Sequence, residues 1–270
     1  MARIKRMERI VAFTQELPNQ PAALFPLAYF CEKFGVAKST LSEDVQTIRN
    51  GLEEYHLGTI ETVAGAGGGV RFIPHHAAED DAAFLEKLGE KLANPERILP
   101  GGMIYMNDLL FTPSLLLRMG EIIMQRSQTL APDYIMTVES KGIPLALATA
   151  RAFNVPMVMA RKQARITEGP AVSISYLSGS TKKIQSMSLP KRAMPVGAKV
   201  LIVDDFMQAG GTAQGLKELA SEVGAKVVGV VTLIATKEPA KKKIDDYSPL
   251  FILKNVNEEE KKIDIFPRVI

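Results

Sequence analysis

The stretch from Lys199 to Thr212, KVLIVDDFMQAGGT, constrains this chain more than any other. Val200 to Val203 is an uninterrupted apolar run, the mark of a strand buried on both faces. Two adjacent carboxylates follow, Asp204 and Asp205. A short loop with Gly210 and Gly211 comes next, and Thr212 opens a helical pattern. Open α/β sheets bind ligands beyond the carboxyl ends of their strands. There, loop amides and a helix N-terminus attract a phosphate through unpaired N–H groups and the helix dipole. Paired acids beside them can accept hydrogen bonds from two neighbouring sugar hydroxyls. A phosphate at one end and a vicinal diol at the other describe a ribose 5-phosphate. Strand–Asp–Gly–helix junctions also arise simply because turns favour Asp and Gly, so the whole string carries the reading and the acid pair alone does not.

At 270 residues, 46% of them hydrophobic, the chain can bury a large core in one or two domains. A formal net charge of +3 permits nucleic-acid contact without establishing it. One cysteine and no secretory leader pattern lead us to expect a cytoplasmic protein without structural disulfides. Apolar runs fall short of the ~18 residues of a membrane span, so no membrane partner is expected. The three histidines show no metal-ligand spacing, and Cys31, in phase with Leu27 and Phe34, reads as a packing residue. No internal repeat is present.

The texture changes near Pro74–Asp81, which divides the chain into residues 1–74 and 75–270. The first part reads as three helices and a hairpin. Met7 to Leu17 is stopped by Pro18; a second helix runs from about Leu24 to Phe34 and is capped by Gly35. Ser39 is a candidate N-cap for the third, whose apolar stripe is Leu41, Val45, Ile48 and Leu52. Helix, short turn and helix make a DNA-reading unit. Its outer face is expected to carry Lys38, Ser39, Thr40, Glu43, Asp44, Thr47 and Asn50. Two β-type runs, Thr59–Val63 and Val70–Ile73, flank an AGAGGG tip and read as a wing, with Arg71 on its return strand. A dinucleotide loop does not fit, because Val70 occupies the sixth position of GxGxxG and a strand follows. Residues 1–74 hold as many acids as bases, yet Arg3, Lys5, Arg6 and Arg9 crowd the start, where they can line up along phosphates. The alternatives are a solvated first helix or a protein-docking winged helix.

In the second part, strands alternate with helices, the pattern of a mostly parallel α/β sheet. Thr112-Pro113 should start a helix that runs to about Gln128. Tyr134–Val138 is a strand, followed by the turn Glu139-Ser140-Lys141-Gly142 and a helix entered through Pro144. Ser140, Lys141 and Gly142 offer a second anion site at the same rim. A strand over Asn154–Ala160 ends in Arg161 and Lys162, adding two cations. Residues 171–177 and 182–188 form a hairpin that is either a lid or a plain surface feature. Val227–Ala235 is a further buried strand, and a hairpin-like segment lies around Leu250–Val256.

The motif resembles the phosphoribosyl-pyrophosphate (PRPP) motif of type I phosphoribosyltransferases, and VESKG, VPMVMARK and VSISYLSG precede it in the order seen in adenine- and xanthine-type enzymes. With a winged head in front, the whole chain resembles the purine operon repressors of Gram-positive bacteria. The implied fold is a winged helix-turn-helix domain followed by a type I phosphoribosyltransferase-like domain. The resemblance implies a homodimer that binds operator DNA and uses the second domain to sense PRPP, with Mg2+ accompanying the effector, and no catalysis. An active purine phosphoribosyltransferase with a regulatory head is the alternative. By the same resemblance, Asp204 and Asp205 hold the ribose hydroxyls, and Gln208, Ala209, Gly210, Gly211 and Thr212 cradle the 5-phosphate. Ser140, Lys141 and Gly142 meet the pyrophosphate with Arg161 and Lys162; Phe206 and Met207, at the loop start, join the effector site, where Phe206 either lines the ribose or a base edge or packs in the core. The enzymes carry Thr where Ala209 stands, so one hydroxyl donor is missing. The expected DNA contacts are Arg3, Lys5, Arg6, Lys38, Ser39, Thr40, Thr47 and Arg71.

Overall fold

The structure is a computed structural model. It describes residues 4–65, 67–163, 167, 169–177 and 184–268. Arg3 and the tip of the expected lid therefore lie outside the described residues. The chain separates into two compact units, Met1–Ala78 with Arg151–Asn154, and Glu79–Ala150 with Val155–Ile270.

In the first unit, α1 (Arg6–Glu16), α2 (Leu27–Phe34) and α3 (Lys38–Glu54) precede a hairpin of β1 (Thr59–Val63) and β2 (Gly69–Ile73). Phe13, Phe30 and Phe34 fill the centre, with the Phe13 and Phe30 rings 4.1 Å apart. Leu41, Val45, Ile48 and Leu52 press the apolar stripe of α3 onto them, as the helical spacing predicts. Gly35 adopts φ 63° and ends α2, a left-handed cap that glycine takes without a Cβ penalty. Two expected boundaries are corrected. Helix α2 begins at Leu27 and not at Leu24, because Phe25 pairs with Val70 through two 2.9 Å backbone hydrogen bonds, an isolated bridge beside the wing. Helix α3 is N-capped by Ala37, without a side-chain bond; Ser39 lies inside the helix.

The second unit opens with α4 (Ala78–Leu92), a hairpin of β3 (Ile98–Leu99) and β4 (Met103–Ile104), α5 (Asn107–Leu110) and α6 (Pro113–Ser127). Then come β5 (Tyr134–Val138), α7 (Gly142–Phe153), β6 (Met157–Ala160), the hairpin β7 (Ala171–Leu177) and β8 (Ile184–Pro190), β9 (Lys199–Met207), α8 (Gly211–Glu222), β10 (Lys226–Thr236), β11 (Ser248–Asn257) and β12 (Lys262–Pro267). β6 starts later than the expected Asn154, because Asn154 takes φ 56° just after α7 and the chain is not yet extended. The main sheet has the order β12-β11-β10-β9-β5-β6, parallel throughout except for β12 at its edge. Chain order runs outward from β5 in one direction to β6 and in the other to β9, β10 and β11. The reversal lies between β5 and β9, and such switch points open a crevice beyond the strand ends. Val200, Leu201, Ile202 and Val203 are fully buried at its floor.

Candidate functional site

The switch point brings together the two loops that carry the chemistry. β5 ends in the Glu139–Ser140 peptide, which is cis, and Ser140 and Lys141 are exposed. Gly142 then opens α7 in a tight place: a Cβ added to it would strike Thr137 Oγ1 and lie 2.7 Å from Asp204 Oδ1. Only a glycine lets the turn of β5 approach the acid of β9 this closely.

β9 runs further than its apolar core, so Asp204 and Asp205 are strand residues on opposite faces and the loop begins only after Met207. Asp204 is 6% exposed, and the N–H of Asp205 donates to its Oδ1 at 3.0 Å. Burial pushes the Asp204 carboxyl well above the usual range, with the Asp205 charge adding to the shift. Burial also raises Asp205, against the opposing hydrogen bond from Asp204 and the charge of Lys141. Both shifts favour retention of a proton by the pair, and the charge of Lys141 in the neighbouring loop opposes the rise at Asp205. Two buried hydroxyls, Thr137 Oγ1 and Thr232 Oγ1, have no hydrogen-bond partner among the described residues. Thr232 is the cross-strand neighbour of Asp204. A hydrated or ligand-bound site would satisfy such groups.

After Met207 the chain turns through Gln208 and Ala209 to Gly210, whose φ is 76° and which N-caps α8 without a side-chain bond. The first-turn N–H groups of α8 are the orphan donors that attract an anion. A cleft there is lined by Asp204, Phe206 to Ala213 and Thr232. It gathers every residue the sequence assigned to the cradle. Phe206 is half-buried and borders it, and Met207 is buried in the core below.

Arg161 and Lys162 stand at the end of β6 as expected. Glu139, which the sequence reading passed over as a turn residue, organises them: its carboxylate accepts from the Lys162 N–H at 2.7 Å and lies 3.4 Å from Arg161 Nη1. The stem of the β7–β8 hairpin is packed against the main core. Tyr176, Met187 and Leu189 belong to the main core, and Tyr176 hydrogen-bonds Thr212 and donates to Gln185 at 2.9 Å. The tip of the expected lid lies outside the described residues.

In the first unit the expected outer face of α3 is corrected at one residue. Asp44 is fully buried and pairs with Arg9, itself 5% exposed, and with Arg6 at 3.2 Å. Arg9 therefore pins α1 to α3 and does not line phosphates. Arg6 stays largely exposed while bonding Asp44 and Thr47, the latter at 3.1 Å. Lys38, Ser39, Glu43, Thr47 and Asn50 are exposed and Thr40 half so. Lys5, Arg6 and Thr40 line one hollow at the start of α3, and Lys38 lines another with the wing residues Thr62 to Gly65. Arg71 projects from β2 in an ion pair with Glu61 at 2.6 Å. Arg49, not singled out in the sequence, ties α3 to the wing through Ile60 O at 2.7 Å and Thr62 Oγ1 at 2.8 Å.

Among the described residues no group of three or more His, Cys, Asp or Glu side chains is gathered to hold a metal. No helix is long and apolar enough to cross a membrane.

Comparison with known proteins agrees with this anatomy. Residues 5–74 match the family described as bacterial purine repressor, N-terminal, and residues 106–265 match the phosphoribosyl transferase domain. The chain is 44% identical over 263 residues to the purine biosynthesis transcriptional repressor PurR of Bacillus subtilis, covering 97% of this chain and 92% of the relative. It is 37% identical to the purine biosynthesis transcriptional activator PurR of Lactococcus lactis, with 97% of each covered. Among solved structures, adenine phosphoribosyltransferase from Thermoanaerobacter pseudethanolicus aligns with a TM-score of 0.53 at 22% identity, over 62% of this chain and 98% of that one.

Proposed function

As the chain belongs to the family of bacterial purine biosynthesis transcriptional regulators, we propose that it is a dimeric repressor that grips operator DNA through its winged head and lets go when PRPP fills the switch-point cleft. One observation carries the effector assignment: the Asp204–Asp205 pair sits between two loops of anion-binding character, Ser140–Gly142 on one side and Gln208–Thr212 on the other. A ligand with a diol in the middle and phosphates at both ends satisfies all three. PRPP has this form. The ribose hydroxyls donate to the acids, the 5-phosphate takes the α8 N-terminus, and the pyrophosphate meets Lys141, helped by Arg161 and Lys162. Mg2+ would travel with the effector, held mainly by its own phosphate oxygens.

On the DNA side, the exposed Lys38, Ser39 and Thr47 and the half-exposed Thr40 of α3 face the major groove, with Lys5, Arg6 and Arg71 on flanking phosphates. PRPP shifts the equilibrium only by its difference in affinity between operator-competent and released forms. A preference of about tenfold corresponds to roughly 1.4 kcal/mol, enough to change operator occupancy. Repression is taken from the Bacillus relative. The Lactococcus relative is named an activator, so the sign of control is the second reading.

The test is a gel-shift titration on control DNA of purine-synthesis genes, with and without PRPP. Weaker binding in PRPP supports effector-driven release, whereas tighter binding supports the activator reading. No effect of PRPP refutes the sensor role. Steady pyrophosphate release on incubation with PRPP and a purine base would reinstate the enzyme alternative.

A further inference from the structure

We propose that Lys242 is an additional phosphate-binding residue, the counter-charge for the phosphate seated in the Gln208–Thr212 loop. This rests on the sugar-phosphate reading above. Lys242 lies in the segment after β10, which forms the outer wall of that loop. The Lys243 N–H donates to Ala209 O at 2.9 Å, and the space beside Gly210 is closed by Lys243 N at 3.3 Å and Ile244 Cγ1 at 3.4 Å from an added Cβ. Thr236 Oγ1 lies 3.3 Å from Gln208 O, and the Lys242 ammonium donates to that same Thr236 Oγ1 at 3.1 Å.

The charge is in an unusual place. Lys242 is 6% exposed, while Lys241 and Lys243 on either side of it are exposed. An ammonium has three donors, and among the described residues the bond to Thr236 Oγ1 is its one hydrogen bond. Lysine is rarely buried unless paired, and a cation buried this way seeks an anion. Burial lowers its pKa, with the charge of Glu238 opposing, so the chain leaves the ammonium short of compensation. The anion loop next to it has the converse need. Ala209 offers no side-chain donor, and α8 starts without a capping side chain. A phosphate over the α8 N-terminus would answer both.

The experiment is calorimetry on the full chain with ribose 5-phosphate, inorganic phosphate and ribose as probes, alongside ligand-free thermal melts. Lys242→Met should lower affinity for both phosphate probes by about tenfold or more, the scale of losing a charge-assisted bond. It should leave any ribose binding unchanged and the ligand-free melting temperature unchanged or raised. Lys242→Gln, which keeps a donor for Thr236 without the charge, should lose the same affinity. Lys241→Met, removing a solvent-screened charge, should alter it less than about twofold. Phosphate affinities of Lys242→Met within about twofold of the parent overturn the proposal. So does loss of fold in both Lys242 variants, which would make the residue a packing element. A parent chain that binds inorganic phosphate but not ribose 5-phosphate refutes the sugar reading while the Lys242 comparison proceeds. Binding of neither probe refutes both.

Discussion

Replacing Asp204 with Asn should make the ligand-free protein more stable at neutral pH while destroying the proposed sugar-phosphate site. Asp204 is buried at 6% exposure beside a second carboxyl, and its pKa is raised by burial first and by the Asp205 charge second. The folded chain therefore holds this proton more tightly than the unfolded chain. The resulting stabilisation is fully present below the unfolded value near 4 and is lost as pH rises through the elevated folded value. At pH 7 to 8 the pair costs stability. The Asp205 charge adds repulsion to the cost of burying Asp204, and a retained proton relieves part of it. Asn keeps the shape and an acceptor for the Asp205 N–H. The net gain expected is about 1 to 2 kcal/mol, the scale of relieving functional strain, which raises the melting temperature by roughly 2 to 8 °C. Calorimetric melts from pH 4 to pH 8 check it: the gain should be largest at the top of the range and fade towards pH 4. A variant less stable than the parent at pH 7 would refute the argument, because it would mean the carboxylate is a structural partner and not a strained ligand group.

Three other outcomes follow from the geometry. Asp44→Ala strands Arg9 in the interior of the head and should cost about 3 to 5 kcal/mol, abolishing operator binding while hydrogen exchange in the second unit stays protected. Gly142→Ala drives a methyl against Thr137 and Asp204; overpacking of this kind costs about 1 to 3 kcal/mol, and calorimetry should find PRPP binding lost. Lys38→Ala should weaken operator binding and lower the slope of log K against log salt by about 1, the signature of one phosphate contact, without changing PRPP affinity.

Much of this was legible in the sequence because the signals are local. The apolar run, the acid pair and the Gly turn of residues 199–212 lie in one strand, loop and helix; Asp204 and the loop residues Phe206 to Thr212 line one cleft, above the buried apolar run. The wing could be read from β-type runs flanking glycines. What escaped is what depends on partners distant in the chain. Asp44 and Arg9 are 35 positions apart, yet each carried a sign of burial. Asp44 falls between Leu41 and Val45 in phase with Ile48, and Arg9 lies one turn before the buried Phe13. Two opposite charges on apolar faces of neighbouring helices should be read as a pair. Lys242 gave no such sign, since a run of lysines after a strand usually marks solvent. Its burial comes from the wall that residues 236–244 build against the cradle loop. The start of α2 was misplaced because pairing of Phe25 with the wing overrode a continuous apolar pattern.

The central claim is that a sugar-phosphate cradle governs the grip of a separate DNA-reading head. Calorimetric titration of PRPP into the parent and into the Asp204→Ala, Asp205→Ala double variant, with operator affinity measured on the same samples, tests it most directly. Saturable binding by the parent, none by the variant and equal operator affinity without PRPP are expected. Equal PRPP affinity in both proteins, or loss of operator binding together with PRPP binding, would contradict it.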